Sequence, residues 1–297
     1  MRVIRAPLTR YAYGDEFRLY GLGDLHLGCP TVDEKALRAL VGRIADDPHA
    51  HWIGMGDYGD LIDARDKRFG FLPIDQRYWD AQTAPGGIPA ETTAHVVEVL
   101  EPIRDRCLGL LEGNHETSVY ARTNYSLITA MAEALRLQHL ILGYEGFVVW
   151  PFARKHDGAS KANGAGAFAV TIQAAHGAAA PRRSGSLYNN AEVLKSRYPS
   201  ADIIFRGHGH QKVGAVYDAV VPGHRHVRPR PWAYCMTGTF KRGRYEDKPG
   251  DAPTSTYEAR KDFFPTTQLG PPEVIITPRV NNGKEMNLPP FDLTVRV

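Results

Sequence analysis

The sequence has few cysteines and no long apolar segment. Its three cysteines, Cys29, Cys107 and Cys235, lie far apart and form no Cys-x-x-Cys pair. This number and spacing argue against a disulfide framework or a thiolate zinc site, and they suit a reducing compartment. No window approaches the length of a membrane span, and residues 1–14 contain no apolar run of signal-peptide length. We therefore expect a soluble, cytoplasmic protein without a membrane partner.

The sequence also has no strong excess of one charge. Its net charge is +3 with histidine neutral, which is too small to indicate nucleic-acid binding by itself. The 297 residues are 43% hydrophobic and 23% charged, as in ordinary globular proteins. A chain of this length can bury a large core. We expect one domain over residues 1–297, and the sequence gives no indication of an oligomeric state.

Short apolar runs alternate with helical patterns in the first half of the chain. The runs at 17–22, 52–55 and 108–111 have the length of buried strands. A helix is expected over 31–44, where Thr31 and Glu34 have the spacing of a capping box. Further helices are expected at 93–104, 124–137 and 189–197. This alternation predicts an α/β fold with parallel strands joined by crossovers.

Two hairpins and a last strand are expected in the second half. The runs 147–150 and 168–172 are predicted to pair antiparallel, as are 213–221 and 232–236, and 272–276 is the last strand. Segment 61–92 has no regular pattern, and a C-terminal extension is expected after residue 245. A long irregular segment inside a domain is commonly functional. We expect an insertion or lid at 61–92, although a plain surface excursion would have the same pattern.

Polar side chains follow five of the expected strands. They are Asp24 with His26, Asp57, Asn114 with His115, His176, and His208 with His210. Because strand ends gather at one edge of an open α/β sheet, we expect these side chains to lie close together. Carboxylate, amide and imidazole groups are suitable ligands for a first-row metal. These side chains are more numerous than the ligands of one tetrahedral metal site. Two metals bridged by Asp57 would use seven of them.

Five sequence blocks resemble those of a known family. They are Gly23-Asp24-Leu25-His26, Gly56-Asp57-Tyr58-Gly59-Asp60, Gly113-Asn114-His115-Glu116, Ala175-His176-Gly177 and Gly207-His208-Gly209-His210. Their content and order are similar to the signature blocks of the calcineurin-like metallophosphoesterases. They span about two-thirds of the chain and leave 61–92 and everything after 210 uncovered. The resemblance implies an α/β fold, namely a four-layer α/β/β/α sandwich of two mixed sheets.

The resemblance also implies a role for each residue of these blocks. One metal would be held by Asp24, His26, Asp57 and His210, and the other by Asp57, Asn114, His176 and His208. His115 corresponds to the histidine that protonates the leaving group, Glu116 would support it, and Asp60 is expected beside the ligands or in the turn. The cofactors would be two divalent metal ions, with Mn expected first and Fe, Zn, Co or Ni as alternatives.

The activity implied by the resemblance is metal-dependent hydrolysis of phosphate esters. Leu61 follows Asp60 where the protein-phosphatase branch usually has an arginine, which weakens the case for a phosphoprotein substrate. Basic segments, including Arg182 and Arg183 shortly after His176, suit a polyanion and favour phosphodiesters such as nucleotides or nucleic acid. Arg182 and Arg183 would bind phosphate or simply face solvent. A phosphatase for small or protein substrates and a non-catalytic scaffold are the alternatives.

Overall fold

The computed structural model describes residues 1–29, 31–61, 76–155, 167–177, 184–222, 227–242, 269–279 and 289–297 of the chain. In chain order its elements are β1 (Arg2–Arg5), β2 (Thr9–Tyr11), β3 (Phe17–Leu22), α1 (Glu34–Asp46), β4 (Ala50–Gly54), α2 (Gln76–Ala81), α3 (Gly87–Leu100), β5 (Cys107–Leu111), α4 (Asn114–Thr123) and α5 (Leu127–Leu135). They continue with β6 (Ile141–Gly143), β7 (Glu145–Arg154), β8 (Phe168–Ala175), α6 (Ser184–Arg197), β9 (Ile203–Arg206), β10 (Lys212–Pro222), β11 (Val227–Thr237), β12 (Glu273–Pro278) and β13 (Phe291–Arg296). The protein is an α/β fold, as the sequence predicted.

Two mixed sheets organise these elements. The smaller has the order β13-β12-β3-β4-β5-β6, and the larger has the order β1-β7-β8-β9-β11-β10 with β2 beside β7. Strands β3, β4 and β5 run parallel, which confirms the prediction from their alternation with helices, and β6 runs parallel to β5. The pairs β7–β8 and β10–β11 are antiparallel, so both predicted hairpins are confirmed. The turn of the second hairpin, residues 223–226, lies outside the described residues.

The two sheets share one hydrophobic core. Phe17 of β3 lies edge-on to Trp150 of β7, with 6.2 Å between ring centroids. Gly21 of β3 lies so close to the larger sheet that a Cβ atom there would meet the Thr237 side chain at 2.5 Å. Because the sheets are in direct contact, strand ends from both can supply residues to one site.

Helices pack against both sheets. Helix α1 buries the four residues of its apolar stripe in the same core, namely Leu37, Leu40, Val41 and Ile44. Helix α6 instead contributes Ala191 to a second cluster with Ile204 and Trp232 of the larger sheet. No helix among the described ranges is long and apolar enough to cross a membrane.

The predicted capping box at the start of α1 is wrong. The N-cap is Asp33, whose Oδ1 accepts a hydrogen bond from the Ala36 N–H at 2.9 Å. The Thr31 hydroxyl instead contacts the Cys29 thiol at 3.2 Å. Val32 forms an isolated β-bridge with Lys241, which keeps this part of the chain extended and delays the start of the helix.

Several other boundaries differ from the predictions. Helix α3 begins six residues before the expected 93, and α4 precedes the helix expected at 124–137. Segment 61–92 therefore contains α2 and the beginning of α3, while its residues 62–75 lie outside the described residues. Strands β1, β2, β6 and β13 were not predicted. Of the extension expected after residue 245, residues 246–268 and 280–288 lie outside the described residues, but β12 and β13 belong to the smaller sheet.

Candidate metal centre

Each predicted metal ligand follows a strand of one of the two sheets. The strands are β3 for Asp24 and His26, β4 for Asp57, β5 for Asn114, β8 for His176, and β9 for His208 and His210. Ligand atoms of Asp24, His26 and His210 lie within 4.8 Å of one another. The same holds for Asp57, His176 and His208, and for His26, Asp57 and His115. These Asp and His groups, most of them buried, could hold metal ions.

The backbone is strained at the predicted ligands. Five of them have positive φ, namely Asp24 (49°), His26 (48°), Asp57 (51°), His208 (63°) and His210 (53°). Non-glycine residues rarely adopt this conformation, and such strain clusters at functional sites. Hydrogen bonds between the loops maintain it, because the Asp24 N–H donates to Gly56 O at 2.9 Å and the His26 N–H to Asp57 O at 3.1 Å.

The loops carrying Asp57 and Asn114 meet at two glycines. A Cβ atom at Gly56 would lie 2.5 Å from the Gly113 nitrogen, and one at Gly113 would overlap the Asp57 carboxylate. The Asp57 Oδ1 accepts the His115 N–H at 2.9 Å, in the first turn of α4. The start of a helix favours negative charge. The close contact at the two glycines and the preference of the helix start for negative charge both place the Asp57 carboxylate against α4.

The Glu116 side chain forms hydrogen bonds to the backbone of the Asp57 loop. Its carboxylate accepts the N–H groups of Asp57 and Tyr58 at 2.8 Å each and that of Gly113 at 2.7 Å. Burial raises the pKa of Glu116 to about 7, and the Asp57 charge acts in the same direction. Glu116 was expected to support His115. Its hydrogen bonds show that it fixes the backbone on both sides of the Asp57 carboxylate.

His115 and Asp60 lie beside the first group of ligands. The His115 Nδ1 is 2.6 Å from the Asp60 carbonyl oxygen, so this nitrogen carries a proton and donates it there. The His115 ring is edge-on to the His26 ring, with centroids 4.7 Å apart. The Asp60 Oδ1 lies 3.2 Å from the His26 Nδ1. Asp60 therefore contacts both rings, one through its backbone and one through its side chain.

Hydrogen-bond acceptors converge around His176. Its Nδ1 lies 2.7 Å from Met55 O, while its Nε2 faces the Asn114 Oδ1 at 3.0 Å and the Asp57 Oδ2 at 3.3 Å. When Nδ1 carries the proton, Nε2 has a lone pair directed at two more acceptors. Burial lowers the pKa of His176, but the hydrogen bond and charge of Asp57 outweigh burial and raise it to about 9. A proton on Nε2 or a metal ion would satisfy this arrangement.

The same convergence occurs in the group of Asp24, His26 and His210. The Nε2 atoms of His26 and His210 are 2.9 Å apart, and the Asp24 Oδ1 is 3.5 Å from the latter. Burial lowers the pKa of His26 to about 4, so its ring is neutral at pH 7, which is the form that binds metals. Burial likewise opposes ionisation of Asp57, but the nearby His115 and His176 outweigh it and lower the pKa of Asp57.

Four buried polar atoms of this site lack a hydrogen-bond partner within the described parts of the chain. They are the Asp24 Oδ1, the His26 Nδ1, the Asp60 Oδ1 and the His208 Nδ1. Native proteins rarely bury polar atoms without a partner, and a bound ion is one way to satisfy them. The donor set, two carboxylates, an amide and four imidazoles, is also suited to first-row metals. These residues could therefore hold metal ions.

Two predicted substrate residues cannot be placed, and two site residues were missed. Arg182 and Arg183 lie outside the described residues.

Thr239 donates its hydroxyl proton to Asp24 O at 2.7 Å, and Lys241 Nζ lies 3.6 Å from the Asp60 Oδ1. Both follow β11, beyond the last sequence block. The sequence signal was a polar turn after a predicted strand, which by itself does not distinguish a site residue.

Comparison with known proteins does not identify a family for this chain. No protein-family model matches it, and no curated protein matches it significantly. The resemblance to the calcineurin-like metallophosphoesterases therefore stays a prediction that rests on the five sequence blocks.

Proposed function

We propose that this chain is a calcineurin-like metallophosphoesterase that hydrolyses phosphate esters with two divalent metal ions. The position of Asp57 carries the proposal. Its carboxylate is grouped with His26 on one side and with His176 and His208 on the other. A carboxylate between two sets of imidazoles can give one oxygen to each of two cations, and it offsets their mutual repulsion.

The proposed ligands divide into two sets that share Asp57. The first set is Asp24, His26, Asp57 and His210, and the second is Asp57, Asn114, His176 and His208. When bound, such a cation pair supplies Lewis acidity toward phosphoryl oxygens and lowers the pKa of a water molecule. Mn is proposed first, and Fe, Zn, Co and Ni suit the same ligands.

His115 is proposed to protonate the leaving oxygen. Its Nδ1 is bonded to the Asp60 carbonyl, so Nε2 is the atom from which a proton would be given. Protonation of the leaving group by a positioned side chain contributes roughly 10²–10⁴-fold to the rate.

The proposed architecture is the four-layer α/β/β/α sandwich of this family. Contact between the two sheets and the separate clusters of α1 and α6 support it. The proposed substrates are phosphodiesters, such as nucleotides or nucleic acid. Leu61, which is 3% exposed, stands where an arginine would bind the dianion of a phosphomonoester. A non-catalytic scaffold is disfavoured, because all seven ligands are present in the sequence.

Metal analysis and hydrolysis assays test this proposal together. The purified protein, loaded with Mn²⁺, should contain two metal ions per chain. It should hydrolyse bis(p-nitrophenyl) phosphate faster than p-nitrophenyl phosphate. EDTA should abolish both activities and Mn²⁺ should restore them, whereas Asp57→Asn should stay inactive. Absence of bound metal, or hydrolysis that survives chelation, would refute the function.

A salt titration then separates the classes of phosphodiester. Binding of a single-stranded oligonucleotide to a nuclease weakens steeply as the salt concentration rises, because counterions are released from the phosphates. Hydrolysis of a small diester should change little over the same range. An enzyme that is active on the small diester but binds no oligonucleotide even at low salt would point to a nucleotide or another small substrate.

A further inference from the structure

Lys241 is a lysine whose charge is buried beside the candidate metal centre. Its side chain is 7% exposed, and its Nζ lies 3.6 Å from the Asp60 Oδ1, on a side chain that is 6% exposed. Burying an ammonium group is unfavourable unless an opposite charge accompanies it. The pair therefore requires both partners, and the loss of Lys241 would leave the Asp60 carboxylate without its compensating charge.

The backbone around Lys241 is fastened to the loop that follows Asp24 and His26. Lys241 forms a β-bridge with Val32, and the N–H groups of residues 33 and 242 bond across this bridge to residues 240 and 31. The Lys241 N–H donates to the Thr239 hydroxyl at 3.0 Å, and that hydroxyl donates to Asp24 O at 2.7 Å. Segment 239–242 thus contacts the ligand loop at both ends. This attachment directs the Lys241 side chain to Asp60.

Asp60 lies between the Lys241 ammonium group and two histidine rings. Its Oδ1 is 3.2 Å from the His26 Nδ1 and 4.0 Å from the His115 Nδ1. Its carbonyl oxygen accepts the proton of the same His115 nitrogen at 2.6 Å. A carboxylate behind a metal-binding histidine orients the ring and selects the nitrogen that binds the metal. Movement of Asp60 would therefore affect both a proposed ligand and the proposed proton donor.

We propose that Lys241 is a positioning residue that holds the Asp60 carboxylate in place between the rings of His26 and His115. Lys241 would act through the Asp60 carboxylate, which its Nζ contacts at 3.6 Å. This role deepens the proposed hydrolase function and rests on it. It also connects segment 239–242, which follows the last sequence block, with Asp60 of the second block and His26 of the first.

The test compares Lys241→Met, which keeps the length but removes the charge, with Lys241→Arg, which keeps the charge. Lys35→Met, at an exposed lysine of α1, is the matched control. Mn²⁺ affinity is measured by calorimetry, and kcat and KM are measured with bis(p-nitrophenyl) phosphate. Lys241→Met should weaken Mn²⁺ binding roughly 10–100-fold and lower kcat with little change in KM. Lys241→Arg should recover part of both losses, and Lys35→Met should match the wild type.

A readout without metal separates this proposal from the function on which it rests. Long-range ¹H–¹⁵N spectra of the imidazoles, recorded on metal-free protein, should show altered tautomer signals for His26 and His115 in Lys241→Met. Unchanged spectra together with wild-type kcat would overturn the role of Lys241. So would a lower unfolding temperature with unchanged kcat, since that result indicates a purely structural lysine. A wild-type protein that binds no metal refutes the hydrolase, whereas the spectra still decide whether Lys241 positions the two rings.

Discussion

The Nε2 atom of His176 lies 3.0 Å from the Oδ1 of Asn114, although His176 already donates a proton from Nδ1 to Met55. An amide oxygen and an unprotonated ring nitrogen do not attract each other directly. A positive charge on the ring nitrogen, or between the nitrogen and the oxygen, makes the contact favourable. Both groups lie on the same side of Asp57, whose Oδ2 is 3.3 Å from the same ring nitrogen. A proton on this nitrogen or the proposed metal ion would supply that charge.

Metal removal should lower the stability of the folded protein. Several negative or lone-pair groups face one another in the centre, and cations bind these groups only where folding brings them together. A free Mn²⁺ concentration of 100 times its Kd should stabilise one site by about 2.7 kcal/mol. Thermal unfolding with and without EDTA measures the difference. Equal unfolding temperatures would contradict a bound metal in the native state.

His176→Ala should remove one of the two metal ions. The second set of ligands loses an imidazole that the Met55 carbonyl orients, whereas the first set keeps all its members. Elemental analysis of the purified variant should give one metal per chain instead of two. His139→Ala is the control, because His139 is exposed. Two metals in His176→Ala would exclude His176 as a ligand.

His115→Ala should retain both metals but lose most turnover. A general acid matters most when the leaving oxygen is basic, so the loss should reach roughly 10²–10⁴-fold for an alkyl ester. It should be much smaller for a p-nitrophenyl ester, whose leaving group needs no proton. Comparison of kcat for the two esters measures the difference. Equal losses for both, together with a missing metal, would show that His115 is a ligand instead.

The parts of the fold that local patterns encode were predictable from the sequence. Strands β3 to β5 are apolar runs that end at glycine and aspartate or asparagine, and their parallel pairing follows from the helices between them. The five blocks lie at such ends, so the sequence indicated that their side chains meet. Their convergence in the structure, with positive φ at five ligands, agrees with this prediction.

The parts that depend on distant contacts were not predictable. Strand β1 exposes Val3 and buries only Ile4, and it forms because β7 supplies its hydrogen bonds. Helix α3 contains Pro89 close after Gly86, which resembles a helix break, but proline is tolerated in the first turn of a helix. Lys241 lies in a polar turn, but nothing local distinguishes it as a site residue, since its partner Asp60 is far away in the sequence.

Asp33→Ala should destabilise the fold through the start of α1. The Asp33 side chain caps this helix at Ala36 and also accepts a hydrogen bond from Arg242 at 2.5 Å. Loss of an N-cap costs about 1 kcal/mol, and loss of the contact with Arg242 adds to it. Urea denaturation measures the change. Asp46→Ala, at the exposed C-terminal end of the same helix, should leave the stability unchanged or slightly raised. A wild-type midpoint for Asp33→Ala would show that another group caps α1.

Glu116→Gln should disturb both stability and metal binding, because one carboxylate accepts three backbone N–H groups around Asp57. The amide of glutamine brings its own N–H group into this site, so at least one backbone donor is left without a partner. Such a loss costs roughly 1–3 kcal/mol. The control is Glu133→Gln on an exposed position of α5. Denaturant unfolding and Mn²⁺ calorimetry on the same samples should show both defects in Glu116→Gln and neither in the control. A variant with lowered stability but unchanged Mn²⁺ affinity would mean that Asp57 keeps its position without this carboxylate, and that the glycine contacts and the start of α4 are sufficient to hold it.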